Sequence, residues 1–322
     1  AAALKVAHVG IAMGSGSAVA RDAAQVVLLN DDFGAIVDGI REGRLIFENL
    51  KKCVAYVLSH LVPEVAPFLV TIIGGLPLGI QTLVILFIDL GTELFPAVML
   101  AYEEPEDSIM LNPPRTPDQH LVTGKMMVLT YFLVGMIETF MCYWGFMWVF
   151  YKEGFTVNQL WYTNSEWGTE PWDLSAEDSA TYLKLCVDNT EYTANCSDTY
   201  LWFLHRKTVL RRAQAAYFLH LVWGQFTNIF CRRTQISSGI SWERMSGNPR
   251  MLLGMIFSLC VAVLVVYLPG LQDICQVDPI WIKYMFTGCW IMPIFLGLEE
   301  LRKFLVRRGL PAHNLMYRLT VY

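Results

Sequence analysis

The chain has 322 residues, of which 54% are hydrophobic and only 16% charged, with a mean hydropathy of +0.40. That is too apolar for an ordinary soluble domain and points to a polytopic membrane protein. The net charge of −5 is spread along the chain and gives no nucleic-acid signal.

The opening "AAALKVAHVGIAMG" lacks the basic start and long apolar core of a signal peptide. "HVGIAMG" predicts a short buried strand, "SAVARDAA" a helix and "QVVLL" a second strand. Two strands and one helix in about 30 residues cannot bury a core of their own. Residues 1–34 therefore look like the end of an α/β domain. The "GSGS" at 14–17 has neither the Lys-Ser/Thr of a P-loop nor GxGxxG spacing, and reads as a turn. From Ala35 a helical pattern runs without proline to Pro63. It predicts one long helix, leaving a soluble region and entering the first span as a rod roughly 40 Å long.

Windows of about 20 apolar residues predict six membrane helices, at roughly 53–74, 80–101, 126–151, 213–231, 251–268 and 280–298. Lys51, Lys52, Arg115, Lys125, Arg232, Arg233, Arg244, Arg250, Arg302, Lys303, Arg307 and Arg308 all fall on one side of that arrangement. The short opposite loops, 75–79 and 269–279, hold no Lys or Arg. The positive-inside rule then places both termini in the cytoplasm. The long loop 152–212 contains Arg206, Lys207, Arg211 and Arg212, but long translocated loops largely escape the rule.

Most of the eight cysteines fall within predicted spans, as small apolar fillers. Cys186 and Cys196 lie in the outer loop, where a disulfide between them is possible and would compete with glycosylation at "NCS" 195–197. Trp161 and Trp281 read as interfacial anchors, and Gln225 as a helix–helix hydrogen-bonding residue.

The informative residues are polar ones inside the oil. In "LSHLVPEVAPFL", His60 and Glu64 are four apart and share a helix face. Pro63 removes the bond to the Ser59 carbonyl, and Pro67 the bond to the Pro63 carbonyl. In "FIDLGTELFP", Asp89 and Glu93 are also four apart, Gly91 weakens the helix between them, and Pro96 frees the Thr92 carbonyl. Bare carbonyls cannot face lipid and need protein, water or an ion. Each charged group at mid-membrane costs at least about 3 kcal/mol on insertion scales. Carboxylates, Ser59, Thr92 and freed carbonyls on two neighbouring helices suit hard cations. Packing alone accounts poorly for them, and a cation path accounts for them well. Glu138 in the third span is read either as a partner to these residues or as a lipid-headgroup contact, the structural role being preferred.

The stretches "VGIAMGSGSAVARDAAQVVLLNDDFGAIVDGIREGRLIFENLKKCVAYVLSHLVPEVAPFL" and "FIDLGTELFPAVMLAYEEPEDSIMLNPPR" resemble the animal Na+/K+- and H+/K+-ATPase α-subunits, a branch of the P-type ATPases. "EELRKFLVRRG" again looks like that family's C-terminal end. The resemblance implies a mainly α fold: a six-helix membrane bundle carrying a short N-terminal α/β remnant of a phosphorylation domain. Residues 1–34 would end that domain. Residues 35–115 would form the stalk helix and first two membrane helices with the cation site. Residues 116–212 would hold the third membrane helix and the extracellular loop, and 213–322 the last three helices and a cytoplasmic C-terminus. The DKTGT and TGDGVND motifs are not in this sequence, so ATP and Mg2+ would be bound by other parts of a full pump. As written the chain would not hydrolyse ATP, being either part of a full pump or a truncated gene product.

Position by position, Glu64, Asp89 and Glu93 match the family's cation-binding carboxylates, with Tyr56, Ser59 and Thr92 at neighbouring site positions. Glu93 stands where the sodium pump has Asp. Leu61 replaces a ligand Asn, and His60 stands where sodium pumps have Ser and gastric proton pumps have Lys. Val222 and Gln225 replace a Gln and an Asp of the sodium pump's third site. A secondary site at Tyr56, Ser59 and Gln225 is thereby weakened. His60 becomes an internal cation that would favour an electroneutral or proton-coupled cycle. The implied function is exchange of Na+, or of H+, for K+ at a plasma membrane. A single-span β-subunit would dock on 152–212, although that loop lacks the family's SYGQ stretch. A non-catalytic membrane protein is the alternative from another class. A passive channel would need symmetric repeats, which the sequence does not contain.

Overall fold

The computed structural model describes residues 1–106, 109–111, 120–155, 157, 160–161, 199–239 and 241–308. They belong to two compact units, one of residues 1–49 and 107–119, the other of 50–106 and 120–322. Cys186 and Cys196, with most of the outer loop, lie outside the described residues.

In the first unit, helix α1 (Ala2–Val6) precedes strand β1 (Ile11–Met13), helix α2 (Ala18–Ala23) and strand β2 (Val26–Leu28). The strands pair in parallel, Ile11 opposite Val26 and Met13 opposite Leu28. The Ser17 hydroxyl accepts the Ala20 N–H and starts α2, so "GSGS" is indeed a turn leading to a helix cap. Its neighbour Ser15 donates its backbone N–H to Asp31 at 3.2 Å. The strands are less buried than the sequence predicts. Ala12 and Leu28 are covered, but Val26, Val27, Leu29 and Phe33 are exposed. So little apolar surface is removed from water that this unit gains little from its own burial. Helix α1 was not anticipated from the sequence.

Helix α3 (Gly34–Gly74) contributes to both units and continues through Pro63 and Pro67 without a break. Its partner α4 (Thr82–Leu100) contains a π-helical turn at Ile88–Glu93. Helix α5 (Gly124–Lys152) contains another at Leu129–Gly135. The chain continues through α6 (Thr199–Arg232), α7 (Trp242–Gly247), α8 (Pro249–Tyr267), α9 (Pro269–Cys275), α10 (Ile282–Met285) and α11 (Ile291–Arg308). Among the described residues, four helices are long and apolar enough to cross a membrane: α3, α4, α5 and α8. The chain is a multi-pass membrane protein.

Of the six predicted spans, four fall on helices that qualify by length and composition among the described residues. The fourth prediction, 213–231, lies inside the longer α6, which is buried on every side from Ala213 to Val222. A helix enclosed by protein need not be apolar all round, provided its polar groups find partners. Gln214 donates to the Leu78 carbonyl at 2.8 Å and Tyr217 to the Pro63 carbonyl at 2.6 Å. The sixth prediction, 280–298, is broken between α10 and α11. There the Gly288 N–H donates to His220 Nε2 at 2.8 Å, and His220 Nδ1 meets the Ala216 carbonyl at 2.6 Å. A Cβ at Gly288 would stand 2.4 Å from the imidazole, so only glycine lets the chain pass. Pro293 then falls in the first turn of α11, where a missing N–H costs nothing.

The core of the second unit gathers around α6. Tyr217, Phe218 and Leu221 meet Cys142, Phe146 and Val149 of α5, Val84 and Ile88 of α4, and Ala262 and Val265 of α8. Tyr143, Phe146 and Tyr217 pack edge to face with ring centroids 5.4–6.3 Å apart. Trp161 and Trp281 are both substantially exposed, and the Lys283 ammonium lies 5.8 Å from the Trp281 ring.

Beyond the end of α4 the polar groups are densely paired. Glu103 accepts from Arg233 at 3.1 Å and from Asn248 at 3.1 Å. Arg244 donates to the carbonyls of Glu104, Pro105 and Glu106 at 2.9–3.0 Å. Glu106 faces Lys52 at 3.5 Å and accepts the backbone N–H groups of Gln235, Ile236 and Ser237 at 2.5–3.2 Å. Burial opposes its charge, but the Lys52 ammonium and those N–H groups outweigh it and hold the carboxyl below its ordinary 4.5.

Candidate cation-binding site

The two proline-bearing helices build the site. Glu64 of α3 and Glu93 of α4 are buried, while Asp89 is exposed. One carboxylate oxygen from each of the three lies within 4.8 Å of the others. Three acids that would repel one another in a dry interior therefore converge, an arrangement that a cation stabilises. Glu64 Oε1 is buried with no hydrogen-bond partner among the described residues, so the donor set fits a hard cation on its own geometry.

The helix between Asp89 and Glu93 is wider than expected. The π-turn replaces the α-turn, and it carries Gly91 against Val261, where a Cβ would stand 2.8 Å from a methyl group. Extra residues in a turn of this kind re-aim side chains, and such turns recur at functional positions.

Two of the three carbonyls freed by proline meet hydroxyls of other helices. That of Pro63 accepts from the Tyr217 hydroxyl of α6 at 2.6 Å. That of Thr92 accepts from the Ser258 hydroxyl of α8 at 2.7 Å. Both therefore have protein partners. Thr92 itself donates to the Ile88 carbonyl at 3.2 Å, leaving its oxygen lone pairs available to accept or coordinate.

His60 is fully buried and sits on the edge of this cluster. Its Nδ1 is 3.2 Å from Glu93 Oε1, and its Nε2 is 3.5 Å from Glu138 Oε1. The Tyr56 ring meets the imidazole edge to face at 4.4 Å. Glu138 is buried on α5, which overturns its reading as a headgroup contact. Asn228 of α6 was missed. It donates to Ser59 Oγ at 2.5 Å, lies 3.4 Å from His60 Nε2, and accepts from Arg232 Nε at 3.3 Å. The signal was present, since His220, Gly224, Asn228 and Arg232 follow at helical spacing of four.

Of the expected secondary group, Tyr56 and Ser59 lie on α3 and Gln225 on α6. Ser59 donates to the Tyr56 carbonyl at 2.6 Å and is joined to Asn228. Among the described residues, the buried Gln225 amide and Tyr56 hydroxyl have no hydrogen-bond partner.

Residues 77–305 match the family described as "Cation transporting ATPase, C-terminus". The chain belongs to that family and represents the C-terminal part of a P-type cation ATPase. It is 34% identical over 311 residues to the sodium/potassium-transporting ATPase subunit alpha-4 of Rattus norvegicus, covering 95% of this chain and 28% of the relative. Similar values hold for subunit alpha-B of Artemia franciscana, 34% over 312 residues, with 95% of this chain and 29% of the relative covered. Subunit alpha of Drosophila melanogaster is 33% identical over 310 residues, with 95% and 28% covered. The chain spans less than a third of the length of these curated relatives.

Proposed function

We propose that this chain is the ion-binding membrane part of an ATP-driven Na+/K+-exchanging pump, with Glu64, Asp89 and Glu93 as cargo ligands, Thr92 beside them and His60 as a fixed neighbouring charge. The observation that carries this reading is the convergence of three carboxylate oxygens within 4.8 Å of one another between two proline-bearing helices. Relatives named as sodium/potassium-transporting subunits support the choice of ions. Phosphorylation and the binding of ATP and Mg2+ belong, on this reading, to parts of the pump outside the present sequence. Alternating access follows when a phosphorylation event tilts α3 and changes which side of the membrane reaches the acids. The exposed Asp89 marks the side on which the rest of the pump closes the site. A plasma-membrane location and a single-span β-subunit on 152–212 complete the proposal.

A second reading, H+/K+ exchange without net charge movement, is favoured by one observation. The buried His60 within 3.2 Å of Glu93 supplies an internal positive charge in the space where a second cargo ion would otherwise be compensated. Charge moved per cycle in the complete pump separates the two: net current supports Na+/K+ exchange with unequal stoichiometry, and its absence supports proton exchange. The site assignment itself is tested by rubidium uptake through the complete pump carrying Glu64→Gln or Asp89→Asn. Both variants are expected to lose uptake; unaffected transport removes the assignment.

A further inference from the structure

His60 has carboxylates on two sides, and only one of them belongs to the three-acid cluster. Glu93 lies 3.2 Å from Nδ1, while Glu138 of α5 lies 3.5 Å from Nε2. Glu138 is 1% exposed and, among the described residues, neither of its oxygens takes part in a well-formed hydrogen bond. A carboxylate enclosed in this way, without backbone donors, is held by whatever charge stands beside it.

The placement of Glu138 is built into the backbone. Gly135 ends the π-turn of α5 and lets that helix press against α3, since a Cβ there would stand 2.6 Å from a Val62 methyl and 3.0 Å from the Ser59 carbonyl. Glu138 follows three residues later on the same helical face, opposite His60. From the third side, Gly224 of α6 admits the Glu138 stem, whose Cγ would be 3.4 Å from a Cβ at that position.

The other polar group near Nε2 does not substitute for Glu138. Asn228 has its oxygen held by Arg232 Nε at 3.3 Å, which turns its amide nitrogen toward Ser59 and His60. That nitrogen is a donor. It offers the imidazole no acceptor, whereas a Glu138 oxygen stands at ion-pair distance, 3.5 Å from Nε2.

We propose that Glu138 is a positioning residue for transport: it anchors the His60 imidazole from the side opposite Glu93, so that Glu93 is freed to coordinate the cargo cation. The inference rests on the cation-pump reading above. With Glu138 in place, an ion arriving at Glu93 displaces one of two partners and the imidazole stays compensated. Without its charge, the imidazole depends on Glu93 alone and competes with the cargo for the same carboxylate. Glu138 thus acts on affinity through His60 and touches no ion itself.

The test is the concentration dependence of rubidium uptake in the complete pump, comparing Glu138→Gln, Glu138→Asp and the double variant Glu138→Gln/His60→Ser. Glu138→Gln is expected to raise the half-saturating rubidium concentration by about tenfold, in the usual range of coupling between sites, with a smaller change in maximal rate. Glu138→Asp retains part of the affinity. The double variant returns toward the wild-type value, because the competing imidazole is gone as well. A merely structural Glu138 would give additive losses instead. An unchanged half-saturating concentration in Glu138→Gln, or a double variant as weak as the single one, overturns the proposal. Should Glu138→Gln fail to accumulate in the membrane, the double variant decides alone: restored accumulation and affinity support the proposal, and continued failure overturns it. Normal uptake by Glu64→Gln and Asp89→Asn sinks the pump reading. Loss of uptake there with no affinity change at Glu138 sinks only the present inference.

Discussion

Two groups of acids in the second unit have opposite bookkeeping. Glu103 and Glu106, beyond the end of α4, are each met by a basic side chain and further donors: Arg233 and Asn248 for one, Lys52 and three backbone N–H groups for the other. Deeper in the helices, Glu93 and Glu138 share one imidazole, Glu64 and the exposed Asp89 each bring an oxygen within 4.8 Å of Glu93, and among the described residues buried oxygens of Glu64 and Glu138 have no hydrogen-bond partner. A satisfied network fixes a structure, while an undercompensated one retains capacity for a ligand. Composition is similar in the two places, and the supply of donors is what separates them.

The comparison is broken most forcefully at the satisfied end. Arg233→Met leaves Glu103 charged and buried, and is expected to cost about 3–5 kcal/mol. Glu64→Gln removes a charge that no basic side chain meets in an ion pair among the described residues and that two neighbouring acids oppose, so the stability of the detergent-solubilised protein should stay level or rise. Thermal unfolding of both variants checks the contrast, which fails if Glu64→Gln is destabilised as much as Arg233→Met.

Next in size is Glu106→Gln, which weakens bonds to a charged acceptor worth about 1.5–3 kcal/mol. The folded-state pKa of Glu106 is depressed, so its contribution is present above the unfolded value of 4.5 and is lost as pH falls through the folded one. Unfolding midpoints of wild type and variant should therefore differ near neutrality and converge in acid. A gap that persists at low pH would contradict the charge-based account. The smallest effects belong to the hydroxyls that meet the proline-freed carbonyls. Tyr217→Phe and Ser258→Ala should each cost about 0.5–1.5 kcal/mol, with hydrogen exchange accelerated around Pro63 and Thr92 respectively. Exchange unchanged at those positions would mean that another donor takes over.

Much of this was legible in the residues. Glu64, Asp89 and Glu93 stood out because a carboxylate in a long apolar run has a large transfer cost and few structural excuses. The prolines named the carbonyls that would need donors, because the lost bond follows from chain position alone. Which donors would arrive could not be read. Tyr217 and Ser258 are remote in sequence from the carbonyls they serve, and an ordinary Tyr or Ser carries no mark of its tertiary partner. That the segment predicted at 213–231 sits in a longer helix, covered by protein from Ala213 to Val222, was not readable, since hydropathy windows carry no information about neighbouring helices. The break at Gly288 was passed over because an isolated glycine in an apolar run gives no sign of the imidazole pressed against it. Asn228 escaped notice for a similar reason: its role appears only when α3 and α6 are side by side.

The hydroxyl of Tyr217 on the Pro63 carbonyl has a mechanical meaning. An unsupported proline joint behaves as a soft elbow that soaks up bending. Splinted from a neighbouring helix, the same joint is stiffened, so that α3 bends less at Pro63 than its sequence alone would allow.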